Sequence, residues 1–347
     1  MTAKNRAAFM TGLNKMEIRE VPMPAAKEGQ VVVKLEYVGI CGSDVHYFEH
    51  GRIGDFIVEG DFILGHECAG TVVEAGKGVT SLRPGDRVTL EPGAACGRCE
   101  FCVTGRYNLC PDVEFLATPP YHGCFENHIA FPAHLTFKLP NNVSTKEGAL
   151  IEPLAVGLEA ASVSGVTLGS SVVILGSGCI GLMALLASKA HGASSVTVVD
   201  VIQKRLDKAK ELGATQVINA AETDAAEALL AAADGKGADV VMETAGSTRT
   251  TQQTPFVVKR GGSIVLVGMG PDDVIPFNFA KLMGQVASLK TIFRYKNQYP
   301  KAIKAVSSGL IDVSGIVTNE FAFDDIAEAF RVNIENKKEV VKIVIKI

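Results

Sequence analysis

The 347-residue chain is 47% hydrophobic and 21% charged, with 34 Lys and Arg against 38 Asp and Glu. That length fits two domains, each able to bury its own core, and the apolar content excludes a disordered chain. A net charge of −4, a pI near 6.0 and a mean hydropathy of +0.21, without an apolar run near the ~18 residues that cross a bilayer, exclude a nucleic-acid binder and a membrane span.

Met1-Thr2-Ala3-Lys4-Asn5-Arg6 leads into a short apolar stretch rather than a signal-peptide core, so a soluble cytoplasmic protein is expected. The 8 cysteines, in a reducing compartment, point to metal or catalysis before disulfides. From the N-terminus, β-branched runs at 31–38, 70–76 and 86–90 predict strands separated by Gly and Pro-Gly turns. Near Ser170 the rhythm changes. Apolar strands are expected at 172–175, 196–200, 217–218, 239–243, 263–268 and 287–292, with helices at 180–190, 203–212 and 225–233 between the earlier ones. Such alternation predicts an open parallel sheet covered on both faces. Beyond Arg294 the chain reads as helical, and the alternation of Val341, Ile343, Ile345 and Ile347 predicts a last strand over 339–347. That tail is assigned to the first domain. The domains are therefore 1–152 with 294–347, and 153–293, in an α/β fold.

Gly176-Ser177-Gly178-Cys179-Ile180-Gly181 lies between a predicted strand and helix, and Asp200 ends the next strand 19 residues after Gly181. In that context the glycines form a dinucleotide fingerprint: one for the turn, one for approach to a pyrophosphate, one for helix packing. Asp200 favours NAD by accepting from the ribose hydroxyls and repelling a 2′-phosphate. Arg205 is expected over the adenine side.

Cys96, Cys99, Cys102 and Cys110 are spaced C-x2-C-x2-C-x7-C. Four thiolates so close can close a tetrahedron around Zn2+, which makes a structural site. Disulfides are disfavoured by compartment, and an iron–sulfur cluster by spacing. Upstream, Cys41 sits at a glycine-flanked turn and His66-Glu67 offers imidazole and carboxylate side by side. Glu152 is an acid in an apolar stretch. Spacing alone does not connect these four.

Together, 39–46, Gly65-His66-Glu67, the cysteine lobe, Ala149-Leu150-Ile151-Glu152-Pro153 and the glycine loop resemble the zinc-dependent medium-chain dehydrogenases over essentially the whole chain. Within that superfamily His46-Tyr47, His50-Gly51-Arg52-Ile53-Gly54, Ala117-Thr118-Pro119-Pro120 and Phe293-Arg294-Tyr295 are most similar to the sorbitol/xylitol (polyol) dehydrogenases. The resemblance implies a GroES-like β-rich domain joined to a Rossmann domain, with the active site in the cleft between them. It also implies catalytic zinc on Cys41, His66 and Glu67, with Glu152 binding the metal directly or through its water, and a second, structural zinc.

For cofactor, it implies NAD held by Gly176, Gly178, Ile180, Gly181, Asp200, Arg205, Val267, Gly268, Met269, Ile292, Phe293 and Arg294. A sugar alcohol would meet Tyr47, Phe115, Glu152, Arg294 and Tyr295, and its proton would leave through Ser43 and His46 or through water polarised by Glu152. The assembly implied is a homotetramer or dimer, with no nucleic-acid or membrane partner. Two other functions compete: a zinc dehydrogenase for threonine or butanediol, and a non-catalytic NAD(P)-binding relative. Cys68, Cys124, Cys179, His122, His128, His134 and His191 are read as packing, small-residue or surface positions, and 336–339 as a solvated helix end.

Overall fold

The computed structural model describes residues 4–270 and 274–347; Met1-Thr2-Ala3, the start of the segment read above as lacking a signal-peptide core, lies outside the described residues. The chain divides into two compact units. One runs up to Glu152 and takes up Tyr299–Gly309 and Val317–Ile347; the other comprises Pro153–Gln298 and Leu310–Ile316. The expected boundary at 294 therefore shifts. Residues 294–298 stay with the second unit, where Glu159 bonds Lys296 and Gln298. Leu310–Ile316 returns to it, with Leu212 Cδ2 3.3 Å from where a Cβ on Gly315 would stand.

In the first unit, the Val-rich strand Gln30–Gly39 is the hub. It pairs antiparallel with Glu67–Ala75, His128–Pro132 and Ile343–Lys346. Arg87–Leu90 and Thr136–Lys138 extend the sheet on one side, and Asn319–Ala322 on the other. The strand expected over 339–347 is shorter, Ile343–Lys346, and alternation alone would bury one face of it. Instead Ile343, Val344 and Ile345 are all 0% exposed, because a strand lies on each flank and both faces are covered.

In the second unit, six parallel strands are ordered third, second, first, fourth, fifth, sixth, the arrangement of a dinucleotide-binding sheet. They are Ser171–Leu175, Ser195–Asp200, Gln216–Asn219, Ala238–Glu243, Val258–Leu266 and Ser288–Thr291. The fifth starts earlier than the sequence predicts, because a register shift opposite Ala238 and Val240 absorbs its two glycines. Val173 and Leu175 of the first strand pack into a core shared with Ala225, Leu229 and Ile264. No helix among the described residues is long and apolar enough to cross a membrane.

Candidate metal and cofactor sites

The four lobe cysteines converge. All four sulfurs lie within 4.8 Å of one another, with Cys99 and Cys102 3.4 Å apart and Cys96 and Cys102 3.9 Å. A Zn–S bond of ~2.3 Å gives a tetrahedral edge of ~3.8 Å, so the sulfurs already stand near ligand positions. All are free thiols, and 3.4 Å is far beyond a disulfide bond. Backbone N–H groups of Arg98 and Cys99 hold the Cys96 thiol down to about 6, while burial and then the neighbouring thiols push Cys102 up to about 12, so without a cation the four do not all ionise together. The donor set fits a closed zinc site.

A second cluster joins Cys41, His66 and Glu67, again with ligand atoms within 4.8 Å of one another. Cys41 is the N-cap of the helix Gly42–His50, an element the Gly-Ser-Asp opening hides in the sequence. Glu67 starts the strand Glu67–Ala75, and a Cβ on Gly39 across the sheet would collide with its Oε2. His66 and Glu67 are buried, at 6% and 0% exposure. Thiolate, imidazole and carboxylate leave one tetrahedral position open, which fits a catalytic zinc.

Two residues missed in the sequence complete this cluster. Asp44, 0% exposed, accepts from Cys41 N at 2.9 Å and from Gly65 N at 2.8 Å, tying the two ligand-bearing turns together. Burial pushes the His66 imidazole down, but Asp44 and Cys41 beside it prevail and raise it well above its ordinary range. Lys342, 2% exposed, donates from Nζ to Glu67 Oε1 at 2.6 Å and to Ile40 O at 2.9 Å, and Nζ is 2.5 Å from Oε2. The sequence hides it, because the alternation of Val341, Ile343 and Ile345 puts Lys342 on the opposite strand face, where a lysine is ordinarily solvated; buried, its ammonium needs a carboxylate.

Glu152, buried at 5%, opens the helix Ile151–Ser164 and is not one of the three clustered ligands. Ser43 and His46 lie three apart on the helix Gly42–His50 and so share a face. Burial and the neighbouring His50 ring, 4.7 Å away, lower the His46 pKa. The Phe115 ring is 5.7 Å from that of His66. Tyr47 and Tyr295 are both 3% exposed, whereas Arg294 is half-buried with φ +58°. Cys68 and Cys124 pack in the same core, where burial and then the neighbouring Cys68 push the Cys124 thiol up, a proximity that sequence distance concealed.

The glycine loop keeps space for a cofactor. Gly176 has φ +106°, and a Cβ on Gly181 would collide with Gly176 O. A Cβ on Gly178 would meet nothing within 4 Å, so the helix N-terminus behind it is open to a phosphate. Asp200 Oδ2 accepts from Ser177 N and Oγ at 2.7 and 2.8 Å, and Oδ1 from Val201 N and Ile202 N at 2.7 and 3.0 Å. Those four bonds occupy both carboxylate oxygens, so the ribose hydroxyls expected to bond Asp200 would have to share them. Arg205 is half-buried, lowered by that burial and opposed by the Asp200 charge. Of the other residues expected to hold NAD, Met269 and Phe293 are exposed, and Val267, Gly268 and Ile292 half-buried.

Residues 27–141 match the alcohol dehydrogenase GroES-like domain, and residues 179–308 the zinc-binding dehydrogenase family. The chain is 48% identical to an uncharacterised zinc-type alcohol dehydrogenase-like protein, YdjJ, of Escherichia coli (strain K12), over 99% of each chain. It belongs to the zinc-dependent medium-chain dehydrogenases. Sorbitol dehydrogenase of Bacillus subtilis (strain 168) is 42% identical, over 98% of this chain and 96% of that one. A solved oxidoreductase/dehydrogenase of unknown specificity from Escherichia coli, ECK1772, superposes with a TM-score of 0.96 at 46% identity, covering 99% of both chains. As a member of this family the protein is an oxidoreductase that uses zinc and NAD(P).

Proposed function

We propose that this dehydrogenase oxidises a secondary hydroxyl of a sugar alcohol, such as sorbitol or xylitol, reversibly to the ketose with NAD. The observation that carries the reading is the cluster of half-buried Cys41 with buried His66 and Glu67, a three-ligand set that leaves a tetrahedral position free, in a chain similar to a sorbitol dehydrogenase. When bound, zinc supplies Lewis acidity and NAD the hydride acceptor. Ser43 and His46 share a helix face that begins beside Cys41, and together they move the hydroxyl proton outward. His46 stays neutral, and able to accept, to lower pH than an ordinary imidazole. In the other route Glu152 polarises a water that takes the proton.

The polyol's further hydroxyls need hydrogen bonds to offset their desolvation. Arg294, with Tyr47, Phe115, Glu152 and Tyr295, is assigned to that task. Two zinc ions per chain, a preference for NAD, a cytoplasmic location and a homotetramer or dimer belong to the same proposal. The strand Ser288–Thr291, exposed along all four residues at the sheet's edge, supports association between copies.

The test is a panel of initial rates with NAD against sorbitol, xylitol, arabinitol, galactitol, threonine, butanediol and 2-propanol. A polyol should lead. In Arg294→Ala, kcat/KM on polyols should fall by about 2–4 kcal/mol of transition-state stabilisation, with a far smaller change on 2-propanol. An unmutated enzyme that favours 2-propanol or threonine overturns the assignment.

A further inference from the structure

The helix Ile151–Ser164 carries a second buried acid that neither metal cluster uses. Glu159 is 3% exposed. Its Oε1 accepts from Lys296 Nζ at 2.6 Å, and its Oε2 from Gln298 Nε2 at 2.7 Å. Each oxygen thus serves a different partner, and both partners come from the same short turn. Gln298 is itself 3% exposed, so its amide has exchanged water for this carboxylate.

That turn, residues 294–298, follows the sixth parallel strand and is conformationally unusual. Arg294 and Asn297 have φ of +58° and +57°, in the left-handed region that side chains bearing a Cβ disfavour. Such residues persist only where their surroundings over-determine them, and they concentrate at functional sites. Here the restraint is visible. The carboxylate grips the chain at Lys296 and Gln298, one on each side of Asn297 and just after Arg294 and Tyr295.

We propose that Glu159 is a positioning residue for polyol recognition: by holding Lys296 and Gln298 it fixes the turn that presents Arg294 to the substrate hydroxyls. The inference rests on the assignment of Arg294 to substrate. It follows from the physics of the pair. Removing the carboxylate leaves the Gln298 amide buried without its acceptor and Lys296 without its counter-ion, so the cheapest response is for the turn to relax. A long side chain on a relaxed turn loses directional hydrogen bonds to a polyol, whereas a monohydric alcohol that needs only the metal and an apolar slot is indifferent.

The experiment compares wild type, Glu159→Ala, Lys296→Met, Arg294→Ala and the double variant Glu159→Ala/Arg294→Ala on sorbitol, xylitol and 2-propanol. Glu159→Ala should lower kcat/KM on the polyols about tenfold, chiefly through KM, and change 2-propanol by less than about twofold. Amide exchange at 294–298 should quicken. The double variant should lose no more polyol selectivity than Arg294→Ala alone, since coupled residues are not additive. Lys296→Met, which keeps Glu159 bonded to Gln298, should show a smaller loss of the same selectivity, and it decides the matter if Glu159→Ala does not fold. Equal losses on all alcohols from Glu159→Ala or Lys296→Met, with Arg294→Ala still selective, overturn the inference alone. Equal losses from Arg294→Ala overturn the substrate assignment and the inference with it.

Discussion

The two metal clusters reach similar ligand spacing by opposite means. Cys96, Cys99, Cys102 and Cys110 come from one short lobe, three of them only half-buried, with backbone N–H groups as their main support. Cys41, His66 and Glu67 come from a helix start and a strand start, and rest on Asp44 and Lys342, both essentially inaccessible. The lobe is a property of local sequence, and a bound metal would supply its missing core. The buried cluster is a property of the whole first unit. Removing a ligand should therefore affect metal content in the first case and both chemistry and folding in the second.

The largest effect should come from Lys342→Met. It leaves a buried carboxylate without its cation, a loss of about 3–5 kcal/mol. Zinc held by Glu67 would offset part of that charge, so denaturation of chelator-treated protein should show the full loss and zinc-loaded protein less. Equal losses in both states would break the comparison, because Lys342 would then act on the sheet and not on the ligand.

Paired substitutions sharpen it further. Cys99→Ser should lower zinc from two per chain to one by metal analysis while turnover persists, whereas His66→Ala should also leave one zinc but abolish turnover. A single zinc in carefully prepared wild type would falsify the two-site expectation.

The glycine loop lies between these extremes, local in sequence but held by a sheet. On the proposal that NAD is preferred through the charge of Asp200, Asp200→Ala should shift the NAD-to-NADP ratio of kcat/KM by about tenfold, roughly 1.4 kcal/mol. Wild type that turns over NADP faster would transfer control to Arg205.

The smallest effect concerns His46. Its folded pKa lies below the ordinary imidazole value of about 6.5, mainly through burial and then His50. The unfolded chain binds more protons in that window, so His46 leaves stability undiminished above pH 6.5 and subtracts from it as pH falls through the folded pKa. The acid limb of kcat should lie below pH 6.5 and should move or vanish in His46→Gln. An unchanged limb in that variant, with one that moves in Glu152→Gln, assigns the proton route to the acid.

What could be read in advance follows the same division. The C-x2-C-x2-C-x7-C spacing and the strand–glycine–helix pattern sit within short windows, and periodicity located all six parallel strands. Cys41, His66 and Glu67 stood out as candidate ligands singly but were joined into one site only through family resemblance, since their neighbourhood is created by strand pairing between Gly39 and Glu67. Asp44 and Lys342 were not read at all. An acid three residues into a helix is ordinary capping, and nothing local tells a lysine near the end of a sheet which carboxylate it will meet. The 294 boundary failed for the same reason, since Glu159 holds a turn 137 residues away.

The separation between Glu67 and Lys342 is 275 residues. At about 5–20 residues per second, a ribosome extrudes the lysine some 14–55 s after the glutamate. Through that interval the nascent first unit holds an acid intended for burial without its counter-ion, and the strand Ile343–Lys346 that follows the lysine has not yet entered the sheet. Metal capture and chain growth thus compete in time for one carboxylate. Slowing translation late in the message, or limiting zinc while it proceeds, would change how nascent chains are metallated without altering a single residue.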